Sequence, residues 1–129
     1  MNKGTSPVSV LIVEDEALIA MDLRFTVESL GFNALGTAFS GEESLRKVET
    51  LHPDVVLMDI KLRGDMDGLT AAAEIYARFR IPVIYLSAYT DEVTIDRTRR
   101  PGSCGCLPKP FEPADLFKAI NRCSEAFAV

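Results

Sequence analysis

Five residues of this chain have the types and placement to do chemistry together: Glu14, Asp15, Asp59, Ser87 and Lys109. Each stands at or just past the end of a short apolar run. Val8–Val13 leads into Glu14-Asp15-Glu16, Val55-Val56-Leu57-Met58 into Asp59, Ile84-Tyr85-Leu86 into Ser87, and Cys104–Leu107 into Pro108-Lys109-Pro110. Such runs read as buried strands, and a carboxylate ending a buried strand must face a crevice or solvent. If the strands are parallel neighbours, Glu14, Asp15 and Asp59 converge at one edge of the sheet. Two carboxylates about 5 Å apart repel by roughly 3 kcal/mol at an effective dielectric of 20. A hard divalent ion relieves that repulsion, and an all-oxygen donor set with room for water suits Mg²⁺. Capping of a helix that begins near Glu16 would account for Glu14 or Asp15 alone, but not for both together with Asp59. A lysine between two prolines is a rigidly placed ammonium, and the Ser87 hydroxyl can donate to an anionic oxygen. A cation held by acids, a carboxylate nucleophile, and a lysine and hydroxyl for phosphoryl oxygens make a phosphoryl site.

The elements that must position these residues alternate along the chain. Strand-like runs at about 8–13, 33–38, 54–58, 82–86 and 104–107 are separated by helix-like segments. Residues 16–30 form an apolar helix ended by Gly31. Ser40-Gly41-Glu42-Glu43 is a capping-box pattern opening a helix to about Thr50. Residues 68–79 are Ala-rich and helix-prone. Thr90–Arg99 is polar, with Val93 and Ile95 its only apolar residues, and is the least secure helix. The last helix runs from Pro113, a residue tolerated in the first turn, to about Phe127. This alternation predicts a doubly wound α/β fold, (βα)5, with a five-stranded parallel sheet between two helical layers in a three-layer sandwich. In such sheets ligands bind outside the carboxyl ends of the strands, where the strand order switches.

A chain of 129 residues, 47% hydrophobic and 26% charged, fits one domain with a real core. Residues 1–7 read as a disordered lead-in and 8–127 as the domain. No apolar stretch is long enough for a membrane span, and the N-terminus lacks the apolar core of a secretory signal, so the chain reads as cytoplasmic. A net charge of −5 argues against nucleic acid as a direct partner. Arg97, Arg99 and Arg100 form a local basic cluster suited to a helix end. Cys104, Cys106 and Cys123 are expected to stay reduced, as small buried thiols. The Cys104-Gly105-Cys106 pair, with His52 far off in sequence, offers too few ligands for zinc.

The motifs Val13-Glu14-Asp15-Glu16, Leu57-Met58-Asp59, Met66-Asp67-Gly68, Leu86-Ser87-Ala88 and Lys109-Pro110-Phe111 occur in order and at suitable spacing. On these the chain, from about residue 8 to 124, resembles the receiver domains of two-component response regulators, of the chemotaxis-Y-like kind. The resemblance implies a flavodoxin-like sheet of order 2-1-3-4-5 and a phosphoacceptor at Asp59. Glu14, Asp15, Asp59 and the backbone carbonyl of Lys61 would hold Mg²⁺. Ser87 would be the switch hydroxyl, Lys109 the conserved-type lysine, and the Lys109–Pro110 bond cis. The phosphoryl donor would be a sensor histidine kinase or a histidine phosphotransfer protein, docking near Leu18, Ile19 and Met21. A downstream protein would read the face of the fourth helix, fifth strand and fifth helix; a homodimer is a further arrangement open to the domain. Such a domain is not an enzyme in the ordinary sense, although it assists its own phosphorylation and dephosphorylation.

Three features depart from the usual pattern. Cys106 stands at the switch position normally held by an aromatic residue, three before the lysine. The loop Lys61–Gly68 is one residue longer than the common form, with Arg63 where proline often sits. Lys61 and Tyr89 occupy positions that, by the resemblance, flank the water that would remove the phosphoryl group, and are expected to lengthen its lifetime. An Asp-nucleophile phosphatase or dehalogenase is the enzymatic rival; it wants a second Asp two residues after the nucleophile, where Lys61 stands. A flavin or nucleotide module would need a phosphate loop after the first strand, where Glu14-Asp15-Glu16 would repel phosphate. A pseudo-receiver acting only by contact is disfavoured because all the chemical parts are present.

Overall fold

The computed structural model describes residues 7–88 and 96–127. Its strands are β1 (Ser9–Val13), β2 (Asn33–Ala38), β3 (Val55–Asp59), β4 (Val83–Ser87) and β5 (Ser103–Pro108). Its helices are α1 (Ala17–Ser29), α2 (Gly41–Leu51), α3 (Gly68–Phe79) and α4 (Pro113–Ala126). Residues 1–6 of the expected lead-in at 1–7, the first part of the expected helix at 90–99, and Tyr89 lie outside the described residues, so α4 is the C-terminal helix.

All strand pairs are parallel, and the sheet order is β2-β1-β3-β4-β5. Alternation along each strand divides the apolar residues between two layers. Leu11, Val13, Val56, Met58, Val83 and Tyr85 pack in one cluster with Leu69, Ala72 and Ile75 of α3 and Val48 of α2. Val10, Ile12, Val55, Leu57, Ile84 and Leu86 pack in the other with Leu23 and Val27 of α1 and Leu116 and Ile120 of α4. Burial on both faces explains why these strands read as unbroken apolar runs rather than alternating ones. The three-layer sandwich expected from the sequence is present.

Local chemistry sets the helix ends. Gly31, at φ 97°, closes α1: its N–H donates to the Glu28 carbonyl and that of Phe32 to Val27, the paired bonds of a Schellman motif. Ser40 caps α2 by accepting from the Glu43 N–H at 3.0 Å. The Glu43 carboxylate reaches back to the N–H of Phe39, one residue before the cap, at 2.7 Å. Asp67 caps α3 through the Thr70 N–H at 2.8 Å. At the start of α4 the Glu112 N–H donates to the Asp115 carboxylate at 3.1 Å.

The expectation of three reduced thiols is corrected. Cys104 and Cys123 form a disulfide between β5 and α4, with Cα atoms 5.5 Å apart, and Cys106 alone is free. The cause is an irregularity in β5. Ser103 pairs with Val83 and Cys106 with Tyr85, so two residues, Cys104 and Gly105, stand opposite Ile84. Gly105 takes φ 108°, a conformation that L side chains rarely adopt. Two residues apart in a regular strand would share a face. Here Cys104 packs with the α1–α4 cluster and Cys106 with the α2–α3 cluster. Among the described residues no helix is long and apolar enough to cross a membrane.

Candidate functional site

The sheet order reverses between β1 and β3, and the residues following those two strands meet there. Ligating oxygens of Glu14, Asp15 and Asp59 lie within 4.8 Å of one another. Glu14 is 1% exposed and Asp59 8% exposed, so two of the three charges are held away from water. Glu14 owes its position to the β1–β2 ladder, which continues one residue past the strand through its N–H to the Ala38 carbonyl at 3.0 Å. Its carboxylate accepts from the Glu16 N–H at 3.1 Å, so the residue also serves the entry to α1. Burial pushes the Glu14 carboxyl above its ordinary pKa, and the nearby Asp59 carboxylate adds to this. The Glu16 N–H and the Lys109 ammonium oppose the rise without cancelling it.

Asp59 ends β3 opposite Leu86 of β4, and the ladder runs on through the Ile60 N–H to the Leu86 carbonyl at 3.1 Å. Its Oδ1 accepts from the Lys61 N–H at 3.1 Å. The backbone beneath it is fixed by Gly68. The Gly68 N–H donates to the Ile60 carbonyl at 3.1 Å, and a Cβ at Gly68 would fall 2.1 Å from the Asp59 carbonyl oxygen. Only glycine lets α3 begin this close to the strand end.

Lys109 reaches the acids from β5. Its Nζ stands 3.4 Å from Glu14 Oε1 and 4.0 Å from Asp59 Oδ2. Its backbone N–H donates to the Ser87 carbonyl at 2.7 Å, tying it to the end of β4. The Lys109–Pro110 bond is cis, as the resemblance implies. Ser87, the last residue of β4, is itself only 4% exposed.

The structure thus gathers Glu14, Asp15, Asp59, Ser87 and Lys109 at one sheet edge, with the Lys61 N–H against Asp59. Cys106 is not among them. It lies on β5 beside Tyr85, lining a surface groove with Thr98, Arg100 and Pro101. Burial pushes its thiol pKa up, which keeps it a neutral thiol at physiological pH. Two contributors escape a reading of residue types. One is Gly68, visible in the sequence only as part of a motif. The other is Arg63, whose backbone N–H donates to Asp15 Oδ2 at 3.0 Å and whose Nε lies 3.4 Å from the same oxygen.

An all-oxygen set of three carboxylates, two of them buried, fits a hard divalent cation and offers nothing to a soft one. A doubly wound α/β domain whose acidic crevice at the switch point holds a carboxylate, a lysine and a buried hydroxyl defines a class of signalling domains. The chain belongs to the response regulator receiver domain family, whose sequence profile matches residues 10–121. It is 39% identical over 115 residues to the transcriptional regulatory protein PdtaR of Mycobacterium tuberculosis, across 89% of this chain and 56% of that protein. The chain therefore spans about half the length of that curated relative. The signal receiver domain of a modulated diguanylate cyclase from Desulfovibrio desulfuricans G20 superposes with a TM-score of 0.87 at 37% identity, covering 95% of this chain and 97% of that one. CheY-like architecture is equally clear against a chain of the CheX-CheY-BeF3-Mg complex from Borrelia burgdorferi. There the TM-score is 0.84 at 28% identity, over 95% of this chain and 93% of that one.

Proposed function

We propose that the domain accepts a phosphoryl group on the Asp59 carboxylate from the phosphohistidine of a histidine kinase or histidine phosphotransfer protein. The observation that carries this is the setting of Asp59. Its carboxylate ends a buried strand beside two further carboxylates, with the Lys109 ammonium 4.0 Å from Oδ2. In the transfer, an Asp59 oxygen forms a bond to phosphorus, the phosphorus–nitrogen bond breaks, and the imidazole leaves and takes up a proton. Glu14, Asp15, Asp59 and the Lys61 carbonyl would hold Mg²⁺, which when bound supplies positive charge against the phosphoryl oxygens.

This chain's own residues do the rest. The Lys61 N–H orients the Asp59 carboxylate, and the close approach of Gly68 holds its backbone in place. Lys109 is poised to exchange its carboxylate partners for a phosphoryl oxygen, and Ser87 to donate its hydroxyl to another. These bonds exist only in the phosphorylated form, so they favour one of two conformations. Moving such an equilibrium from 1:99 to 99:1 takes about 5.5 kcal/mol, within reach of several charge-assisted bonds in a crevice shielded from water.

The donor would dock on α1, where Leu18 is 80% exposed and Met21 66% exposed. Output would pass through β5, α4 and the segment before residue 100, to a downstream protein or a second copy of the chain. With Cys106 in place of an aromatic rotor, the readout there rests on backbone shifts rather than on a swinging ring. The cytoplasm is the compartment such donors imply; there the Cys104–Cys123 pair would exchange with ambient thiols.

The test is incubation with Mg²⁺ and acetyl phosphate, with intact mass measured for wild type and Asp59→Ala. A base-labile increment of one phosphoryl group is expected on the wild type alone, and only when Mg²⁺ is present during the incubation. Its absence, or its persistence in the variant, refutes the proposal.

A further inference from the structure

Glu14, Asp15, Glu16 and Asp59 crowd this end of the sheet, and Lys109 and Arg63 stand against them. Lys109 stands against Glu14 and Asp59, at 3.4 and 4.0 Å. Arg63 serves the other pair. Its Nε lies 3.4 Å from Asp15 Oδ2 and an Nη atom lies 4.0 Å from Glu16 Oε1. The backbone N–H of Arg63 donates to the same Asp15 oxygen at 3.0 Å. One residue of the β3–α3 loop therefore brings both its donors to a carboxylate of the candidate cation site. Asp15's side chain is only 10% exposed, so water does little to offset its charge on that side.

We propose that Arg63 is a resident counter-ion of the cation site: its guanidinium and a divalent cation compete for Asp15, so Arg63 sets the affinity of the site. The proposal rests on the reading of Glu14, Asp15 and Asp59 as the Mg²⁺ ligands.

The two cations differ in how firmly they are held, which gives them different roles. Lys109's side chain is 26% exposed, its partner Glu14 is buried, and its backbone is bonded to β4. Arg63's side chain is 81% exposed on a loop, so it can swing into water at small cost. A divalent ion arriving at Asp15 brings two charges to an oxygen that already has one positive neighbour. The repulsion is relieved by the guanidinium leaving, while the Arg63 N–H, which carries no net charge, can stay. Arg63 thereby weakens cation binding without blocking it. It also couples occupancy of the site to the position of the loop that follows the phosphoacceptor.

The experiment is an Mg²⁺ titration of the full chain at low ionic strength, followed by amide and arginine Nε–Hε resonances. Wild type, Arg63→Ala and Arg63→Gln are compared, with Arg78→Ala as control. Arg78 pairs with Glu74 on α3, at 3.8 Å, and touches none of the site acids. The dissociation constant should fall about three- to ten-fold in both Arg63 variants, the range that one or two exposed ion pairs can supply, and stay unchanged in the control. The gap should shrink in 0.5 M salt, where the Debye length is roughly 4 Å. In the wild type the Arg63 Nε–Hε resonance should move with the same midpoint as the Asp15 and Asp59 amides. Equal affinities, or weaker binding in the Arg63 variants, would overturn the proposal while leaving the cation site standing. No saturable shift in any of these proteins would remove the site and the proposal together.

Discussion

Replacing Gly68 with alanine should damage the domain out of proportion to the single methyl group added. The new Cβ would lie 2.1 Å from the Asp59 carbonyl oxygen, 2.9 Å from the Ile60 Cα and 3.0 Å from the Asp59 carbonyl carbon. Every one of those atoms is backbone, so no side chain can rotate away. Relief needs a shift of about 1 Å between the start of α3 and the end of β3, against the bond from the Gly68 N–H to the Ile60 carbonyl. Overpacking of this kind costs typically about 1–3 kcal/mol, and a wholly backbone clash belongs at the upper end. The better helix propensity of alanine returns at most about 1 kcal/mol, less in a first turn. A net loss of about 2 kcal/mol lowers the melting temperature of a domain this size by roughly 6–10 °C. Circular dichroism melts in chelator, so that no cation contributes, measure the effect. Gly36→Ala is the control, since nothing lies within 4 Å of a Cβ there and φ is not positive. The same shift moves Asp59, so acetyl phosphate labelling of folded Gly68→Ala should fall too. A melt within 2 °C of the wild type, with labelling intact, would refute the view that Gly68 fixes the backbone of Asp59.

Two further outcomes follow from the caps and cysteines. The Thr70 N–H holds the Asp67 carboxyl below its ordinary pKa of 3.8, so Asp67→Ala should cost about 1 kcal/mol at neutral pH. Because the native pKa is the depressed one, that contribution is complete above the unfolded value and is lost as pH falls through the native value. Urea unfolding across pH should show the wild-type advantage closing in acid, and an advantage independent of pH would contradict it. Cys104→Ser removes a cross-link between residues 19 apart and should cost about 3 kcal/mol under oxidising conditions. A reductant should bring the wild type to the variant's stability, Cys106→Ser should change neither, and alkylation of the denatured, unreduced protein should label Cys106 alone.

What could be read from the sequence was whatever depends on runs and ends. An unbroken apolar run is the mark of a strand buried on both faces, and the residue ending it has one place to go. Asp59, Glu14, Asp15, Ser87 and Lys109 were legible for that reason. The capping pattern at Ser40 gave the start of α2, though not that Glu43 would bond Phe39 instead of its cap. What could not be read depends on approach in space. The need for glycine at position 68 arises from a strand that ends nine residues earlier, and Arg63 stands out as a loop substitution whose contact with Asp15 only the folded loop reveals. The Cys104–Cys123 pair was missed because the expectation drew on compartment. Spacing could not have supplied it either, since Cys104 and Cys106 share a face until an extra residue is placed between them.

That extra residue has a bearing on how the domain can change over time. In an even strand, a substitution alters one side chain, while a deletion turns over every side chain beyond it. The Cys104–Gly105 step has already spent one such half-turn, and Leu107 and Lys109 come to their places downstream of it. Loss of the extra residue would leave Cys106 opposite Tyr85 and Leu107 opposite Leu86, whereas loss of a residue beyond the bulge would turn the approach to Lys109 toward the opposite layer. The strand that leads to Lys109 can therefore absorb a one-residue change of length at the bulge, and not after it.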